Sequence, residues 1–411
     1  MRIAKLNDIG ELKTGPFGTQ FSASEYVSEG IPVINVKNIG YGSIIETGLD
    51  HVSKNTLGRL TEHKLKEGDI VFGRKGSVDR HCLIRREQNG WMQGSDCIRV
   101  RLTDTSVYPE FVSYYLLTDA VKMKINNSAV GSTMASLNTD ILGDIDIILP
   151  DYAEQKSIAL TLGIIDKKIK NNNRINDYLE EMAKTIYDYW FVQFDFPDKN
   201  GKPYKSSGGT FKNGLPIGWN YVPIKNICNI LSGFSFQSDD YVQNGKYKLL
   251  TIKNVQDTGI NLDVDNYINI LPENMPDFCK LDIGSILMSL TGNVGRVGIL
   301  YDSNCLLNQR VSLMQAKNPI MTPFIYCLLK SSKMRYILES LATGTSQKNL
   351  SPIEAGNIMI PYDNEIVKNF SKKVTPLIDS IITNLKENNN LTNLREWLLP
   401  MLMNGQATIE N

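Results

Sequence analysis

"GSTMASLNTDILGDIDIILP" occupies Gly131 to Pro150, and "GTSQKNLSPIEAGNIMIP" occupies Gly344 to Pro361. One chain carries two versions of one segment, and the likeness extends outward from both. "TGPFGTQFSASEYVSEGIPVINVKNI" (Thr14 to Ile39) is echoed by "SGFSFQSDDYVQNGKYKLLTIKNV" (Ser232 to Val255), and "GDIVFGRKGSVDRHCLI" (Gly68 to Ile84) by "GSILMSLTGNVGRVGIL" (Gly284 to Leu300). Matching landmarks give offsets of 292 − 76 = 216 at Gly76 and Gly292, and 350 − 137 = 213 at Leu137 and Leu350. A near-constant period this long lies far beyond the roughly 20 to 50 residues of solenoid repeats, so a whole domain is duplicated.

Each copy follows one plan. Short apolar or alternating runs such as "IPVINVKNI", "GDIVFG", "KLLTIKNV" and "GSILMSL" are bounded by Gly, Asn, Asp and Ser, the pattern of strands joined by turns. Helical stretches intervene at "YPEFVSYYLLTDAVKMKI" and "TPFIYCLLKSSKMRYILESL", with apolar residues three and four apart. The class is therefore mixed α+β. The repeated glycines, Gly15 and Gly233 or Gly76 and Gly292, are expected to supply turn conformations, since neither place has the Lys and Ser/Thr of a nucleotide loop.

A different kind of segment follows each domain. Ile158, Leu162, Ile165, Ile169, Asn172, Ile175, Leu179, Met182, Ile186 and Trp190 fall on one stripe, as do Val367, Phe370, Val374, Leu377, Ile381, Asn388, Leu391, Leu394 and Leu398. Each is a long amphipathic helix, the second ended or kinked at Pro400. A continuous helix from Ala153 to Trp190 would span about 57 Å. Both stripes carry three asparagines, Asn171 to Asn173 and Asn388 to Asn390. Set on a seam these residues fix register; otherwise they are solvated or mark a break. The expected division is 1–151, a first mixed domain; 152–197, a central helical region; 198–362, a second mixed domain; and 363–411, a C-terminal helical region.

At 411 residues, 42% hydrophobic and 21% charged, the chain has the composition of a soluble multidomain protein. It holds no apolar run of the roughly 20 residues a membrane helix needs, and "MRIAKLNDIG" lacks a signal peptide's apolar core. A cytoplasmic location is expected. Six scattered cysteines and three histidines argue against a zinc site or a disulfide framework. With 44 basic and 44 acidic residues, a nucleic-acid binder would have to concentrate its positive charge on one face.

Enzyme readings find little support. No Asn/Asp-Pro-Pro-aromatic stretch exists to hold a flipped base, the nearest string being "NPIM" at Asn318 to Met321. Pro150-Asp151 followed by Asp166-Lys167-Lys168 meets a loose metal-nuclease pattern, but Asp166 falls within the amphipathic helix where a strand is required. His51, His63 and His81 are read as surface or packing residues.

The order "GSTMASLNTDILGDIDIILP…EQ", "NNNRINDYLEEMAKTIYDYWFVQFDFP", "GLPIGWNYVPIKNI" and "NNNLTNLREWLLPMLMNGQ" resembles the specificity subunit of type I restriction-modification systems over essentially the full chain. The resemblance implies two similar mixed α/β target-recognition domains separated by two long helices that form an antiparallel coiled-coil spacer. Each domain would read one half of a bipartite gapped sequence in double-stranded DNA, and the chain itself would be non-catalytic. The helices would dock two adenine-methylating modification subunits, joined by motor-nuclease restriction subunits. S-adenosylmethionine, ATP and magnesium would belong to those partners, with no cofactor or metal bound by this chain. The candidate DNA contacts are Lys37, Asn38, Arg74, Lys75, Ser77 and Arg80 in the first domain. In the second they are Lys253, Asn254, Thr291, Asn293, Arg296, Gln309 and Arg310. Arg pairs bidentately with guanine and Asn or Gln with adenine, while Lys more often holds phosphate. The copies diverge inside "RKGSVDRH" and "LTGNVGRV" while sharing their frame. Tyr187, Trp190 and Phe191, with Trp397, are candidate partner-docking residues, packing against the neighbouring domain being the alternative for the aromatic cluster.

Overall fold

The computed structural model describes residues 2–129, 135–344 and 347–409, so Gly131–Met134 of the first repeat and Thr345 and Ser346 of the second lie outside the described residues. The chain divides into two compact units, one of Met1–Lys167 with Leu391–Asn411 and the other of Lys168–Asn390.

In the first unit, the strands Gly10–Thr14, Cys97–Leu102, Ile70–Gly73 and His81–Leu83 lie side by side in that order, each antiparallel to the next. Tyr41–Gly42 adds a short parallel edge. A second sheet runs Tyr26–Val27, Asp50–Val52, Ile31–Ile34, Met92–Gln93, with its last pair parallel. The second unit repeats this wiring. Cys228–Ser232, Val311–Ala316, Ile286–Ser289 and Val297–Ile299 form the antiparallel sheet, and Tyr247–Leu250 again pairs in parallel, with Cys305–Leu307. The closing apolar runs of the two repeats, Asp146–Leu149 and Met359–Tyr362, each pair antiparallel with a strand that opens their domain, Arg2–Lys5 and Asn220–Pro223. The central strands "IVFG" and "ILMS" are buried at every position because sheet and helices cover both faces, which explains their unbroken apolar character.

The repeated glycines serve two purposes. Gly76 and Gly292 have φ of 79° and 75°, the left-handed turn conformation expected for them. Gly15 and Gly233 instead sit where backbones meet: an added Cβ would lie 1.9 Å from the Gly94 carbonyl oxygen and 2.3 Å from that of Asn308. The expectation of a turn is corrected there to one of close approach.

The central helix, Tyr152–Tyr187, is capped by Asp151, whose Oδ1 accepts from the Glu154 amide at 2.9 Å, and a π-helical turn, Asp188–Val192, extends it. Gln155 is wholly buried and locks the helix onto the first domain: Nε2 donates to the Ser106 and Pro150 carbonyls, and Oε1 accepts from the Tyr108 amide. The C-terminal helix spans Asn364–Met403. Pro400 does not end it, because a proline in the last turn forfeits one hydrogen bond while packing holds the rest: Leu402 and Met403 are buried in the first unit's core with Ile158, Ala159 and Leu162.

Within the second unit the two helices run antiparallel on a polar seam. Asn172 Nδ2 donates to Glu387 Oε2 at 2.7 Å and Asn388 Oδ1 at 2.9 Å, Asn388 Nδ2 donates to Asn173 Oδ1 at 2.7 Å, and Asn384 Nδ2 donates to Asn176 Oδ1 at 2.8 Å. Asn172, Asn176 and Asn388 are buried, so of the readings open for the two asparagine runs the register-setting one holds. In the first unit, Asp166 accepts from Tyr114 Oη at 2.6 Å and from Arg395 Nη1 at 2.8 Å, so both its oxygens serve packing on a helix and not a metal.

Candidate nucleic-acid interface

The opening repeat holds a loop in place. In the first domain, the strand Ile70–Gly73 leads into "RKGSVDR", and this loop pairs with the repeat: the Gly76 amide donates to the Ala135 carbonyl at 3.0 Å, and Leu137 donates to Arg74 at 2.8 Å. In the second domain, Gly292 donates to Lys348 at 2.8 Å, and Leu350 donates to the Leu290 carbonyl at 2.9 Å. Leu137 and Leu350 are buried anchors. Immediately beyond them, Asn138 and Ser351 cap short helices, accepting from Ile141 and Ile353. The same clamp thus presents two loops of different composition.

In the second domain the loop borders a cleft of about 550 Å³ that brings together Lys253, Thr291, Asn293 and Arg296. An adjoining cleft of about 400 Å³ shares Thr291 and gathers the exposed Gln309 and Arg310. Thr291 Oγ1 donates to Asn349 Oδ1 at 2.8 Å, again tying the loop to the repeat. In the first domain, Lys37 and Asp50, paired at 2.8 Å, border a cleft of about 450 Å³ with Asp96, which pairs with Lys75 at 3.2 Å. The Lys37 ammonium holds the Asp50 carboxyl below its usual range. Ser77 is exposed, and Arg74 is half-buried with Nε enclosed and unpartnered. Lys253 pairs with Asp265 at 2.7 Å. Such exposed pairs contribute little to stability, so these cations can exchange a carboxylate for a phosphate.

Four residues outside the candidate set adjoin it, Tyr41, Lys122, Asp257 and Arg335, and of these Asp257 lines the cleft that holds Arg296. The Arg80 guanidinium lies 5.4 Å from the centre of the Tyr41 ring, and Lys122 Nζ lies 5.2 Å from it. In the second domain, Arg296 and Arg335 both pair with Asp257, at 2.9 and 2.7 Å. Arg335 holds that carboxyl below its usual range. Turned with its oxygen toward the guanidinium, Asn293 accepts from Arg296 Nη1 at 2.9 Å. The 216-residue offset sets Tyr41 opposite Asp257 as it sets Arg80 opposite Arg296, but the differing residue types carry no sequence signal that would single them out.

Two candidate pairings are corrected. Asn38 and Asn254 are buried and committed to the backbone, so neither can reach a base. Asn38 Nδ2 donates to the Ile45 and Thr47 carbonyls and Oδ1 accepts from the Asn35 amide. Asn254 repeats this with Asn261, Asp263 and Thr251. The docking reading of Tyr187, Trp190 and Phe191 is likewise replaced by the packing alternative: all three are buried in the second unit's core, where Phe370 lies 6.0, 5.7 and 5.2 Å from their rings. Trp397 is 57% exposed. All six cysteines are buried and free, and among the described residues no group of three or more His, Cys, Asp or Glu is placed to hold a metal ion.

A family model described as type I restriction modification DNA specificity domain matches residues 1–181 and 216–393, one match for each copy. The chain belongs to this family. As a type I specificity subunit it is the DNA-recognition component of a restriction-modification system and not a catalytic one. It is 25% identical to the type I restriction enzyme MjaIX specificity subunit of Methanocaldococcus jannaschii, over 99% of this chain and 94% of that one. It is 21% identical to the HindI specificity subunit of Haemophilus influenzae, over 90% and 94%. A crystal structure of the type I S subunit from M. genitalium shares the fold, with a TM-score of 0.60 at 18% identity, covering 98% of this chain and 95% of that one.

Proposed function

We propose that each mixed domain of this specificity subunit reads one half of a bipartite, gapped sequence in double-stranded DNA. The observation that carries this reading is the paired loop: one clamp, closed by the same two backbone hydrogen bonds around an equivalent Gly and Leu in both copies, presents "RKGSVDR" in one domain and "TGNVGR" in the other. A duplicated frame with divergent contents is what two different half-sites require. Lys37, Arg74, Lys75, Ser77 and Arg80 face the first half-site, and Lys253, Thr291, Asn293, Arg296, Gln309 and Arg310 the second.

The two long helices dock two modification subunits, with the exposed Trp397 as one contact. Motor-nuclease subunits join that assembly. S-adenosylmethionine, ATP and magnesium bind to those partners and not to this chain, and the complex works in the cytoplasm. Among the described residues no helix is long and apolar enough to cross a membrane.

The test is genome-wide mapping of N6-methyladenine with and without this gene. One gapped motif is expected to vanish on deletion; an unchanged methylome in cells that express the gene and its modification partner would refute the reading. Exchanging the "RKGSVDR" loop for another is expected to alter one half of that motif and leave the other intact.

A further inference from the structure

The two domains place one trio of side chains at equivalent positions and fill its centre with opposite chemistry. The equivalence of Tyr41 and Asp257 rests on register: Asn38, Ile45 and Thr47 stand in one hydrogen-bonded turn, Asn254, Asn261 and Asp263 in the other, all 216 residues apart. The flanking helices Asp119–Ser128 and Ser332–Leu341 align by their N-caps, Thr118 and Ser331, and by buried Val121 with Met334 and Ile125 with Leu338. That alignment sets Lys122 against Arg335. Two cations therefore flank residue 41 in one domain and residue 257 in the other, but the residue between them is a neutral ring in the first and a carboxylate in the second.

The hydrogen-bonding consequences differ. A cation held over a ring uses the face of the guanidinium and leaves its N–H edge unspent. Among the described residues no side chain accepts from Arg80; its Nε, like that of Arg296, is enclosed without a partner, so the unspent donors are its Nη1 and Nη2. The nearby carboxylates sit at the margin: Asp79 accepts from Tyr41 Oη at 3.2 Å, and Asp119 lies 3.6 Å from Lys122. In the second domain Arg296 spends its edge on Asp257 and Asn293, and Arg335 spends its own on Asp257 and Glu339. Asp257 takes one donor on each oxygen, Arg335 on Oδ1 and Arg296 on Oδ2. A carboxylate has about four lone-pair sites, so acceptor capacity remains on a group that is half exposed and held still from two sides.

We propose that Arg80, backed by Tyr41, reads a guanine in the first half-site, and that Asp257, braced by Arg296 and Arg335, accepts from the amino group of a cytosine in the second. Guanine presents two acceptors in the major groove and cytosine presents a donor, the complements of an open guanidinium edge and a braced carboxylate. This rests on the half-site reading above.

The experiment co-expresses the intact chain with its modification partner and maps methylated motifs for wild type, Arg80→Lys and Asp257→Asn. A wild-type chain that yields no gapped motif defeats the half-site reading itself. Given a wild-type motif, Arg80→Lys is expected to relax a G·C pair in one half, and Asp257→Asn a C·G pair in the other, each by about 10- to 100-fold in methylation preference. Thermal unfolding accompanies the mapping. Variants that shift unfolding but keep every base preference at its wild-type strength would overturn the proposal, as would one variant altering both halves.

Discussion

At the scale of the residue, the asparagine of "VKN" and "IKN" shows how a repeated polar residue misleads. Sequence chemistry offers Asn38 and Asn254 as adenine readers, yet each closes a turn against two carbonyls and an amide. The error is physical: identity between copies marks what builds the frame, and a reader of two different half-sites must vary. Asn38→Ala leaves those backbone groups unpaired in a buried site and is expected to cost about 1–3 kcal/mol, read as a lower unfolding midpoint with base preference retained. Trp190→Ala opens a cavity beside Phe370 and is expected to cost about 3–5 kcal/mol; loss of the modification partner with unchanged stability would restore the docking role. His81, a packing or surface residue on sequence grounds, packs: it is fully buried, with Nε2 3.0 Å from Ser113 Oγ. Burial pushes its pKa down from 6.5 to about 3. Between those values the unfolded chain binds a proton that the folded chain refuses, so this contribution is whole above about pH 6.5 and is lost as pH falls toward 3. His81→Gln is expected to flatten the fall of the urea midpoint over that range relative to wild type.

At the scale of the element, strands and helices were legible because their periodicities are strong, and both long helices appear where the apolar stripes place them. What the stripe could not say is how its asparagines are satisfied. A polar residue at a seam position reads the same whether it meets water or a partner 216 residues away, and only the fold pairs Asn172 with Asn388. A double-mutant cycle on Asn172→Ala and Asn388→Ala is expected to show a coupling of about 0.5–1.5 kcal/mol; additive effects would mean the pair contributes nothing specific. Pro400 illustrates the opposite limit. Its local rule says stop, while burial of Leu402 and Met403 carries the helix through.

At the scale of the whole molecule, duplication was the most readable feature, since a near-constant offset needs no three-dimensional knowledge. The candidate interface was half legible: composition pointed to Lys253, Thr291, Asn293 and Arg296, which do share a cleft, and missed Asp257, which lines that cleft, and Tyr41, which lies against Arg80, neither of them basic or repeated. The membership of the compact units was not legible, because it depends on residues 391–409 completing a core begun at the other end of the sequence. Truncation after Asn390 removes Leu398, Leu399, Leu402 and Met403 from that core. It is expected to lower the first unit's unfolding transition while leaving that of the second unit nearly unchanged, as two resolved calorimetric transitions would report.

That late completion has a temporal side. During synthesis, Leu391 emerges 391 − 167 = 224 residues after Lys167. At about 5–20 residues per second, the first unit waits roughly 10–45 s with an uncapped apolar surface. The half of the chain made first is therefore finished last, and a ribosome stalled anywhere in the second domain would hold a first domain open to proteases and chaperones.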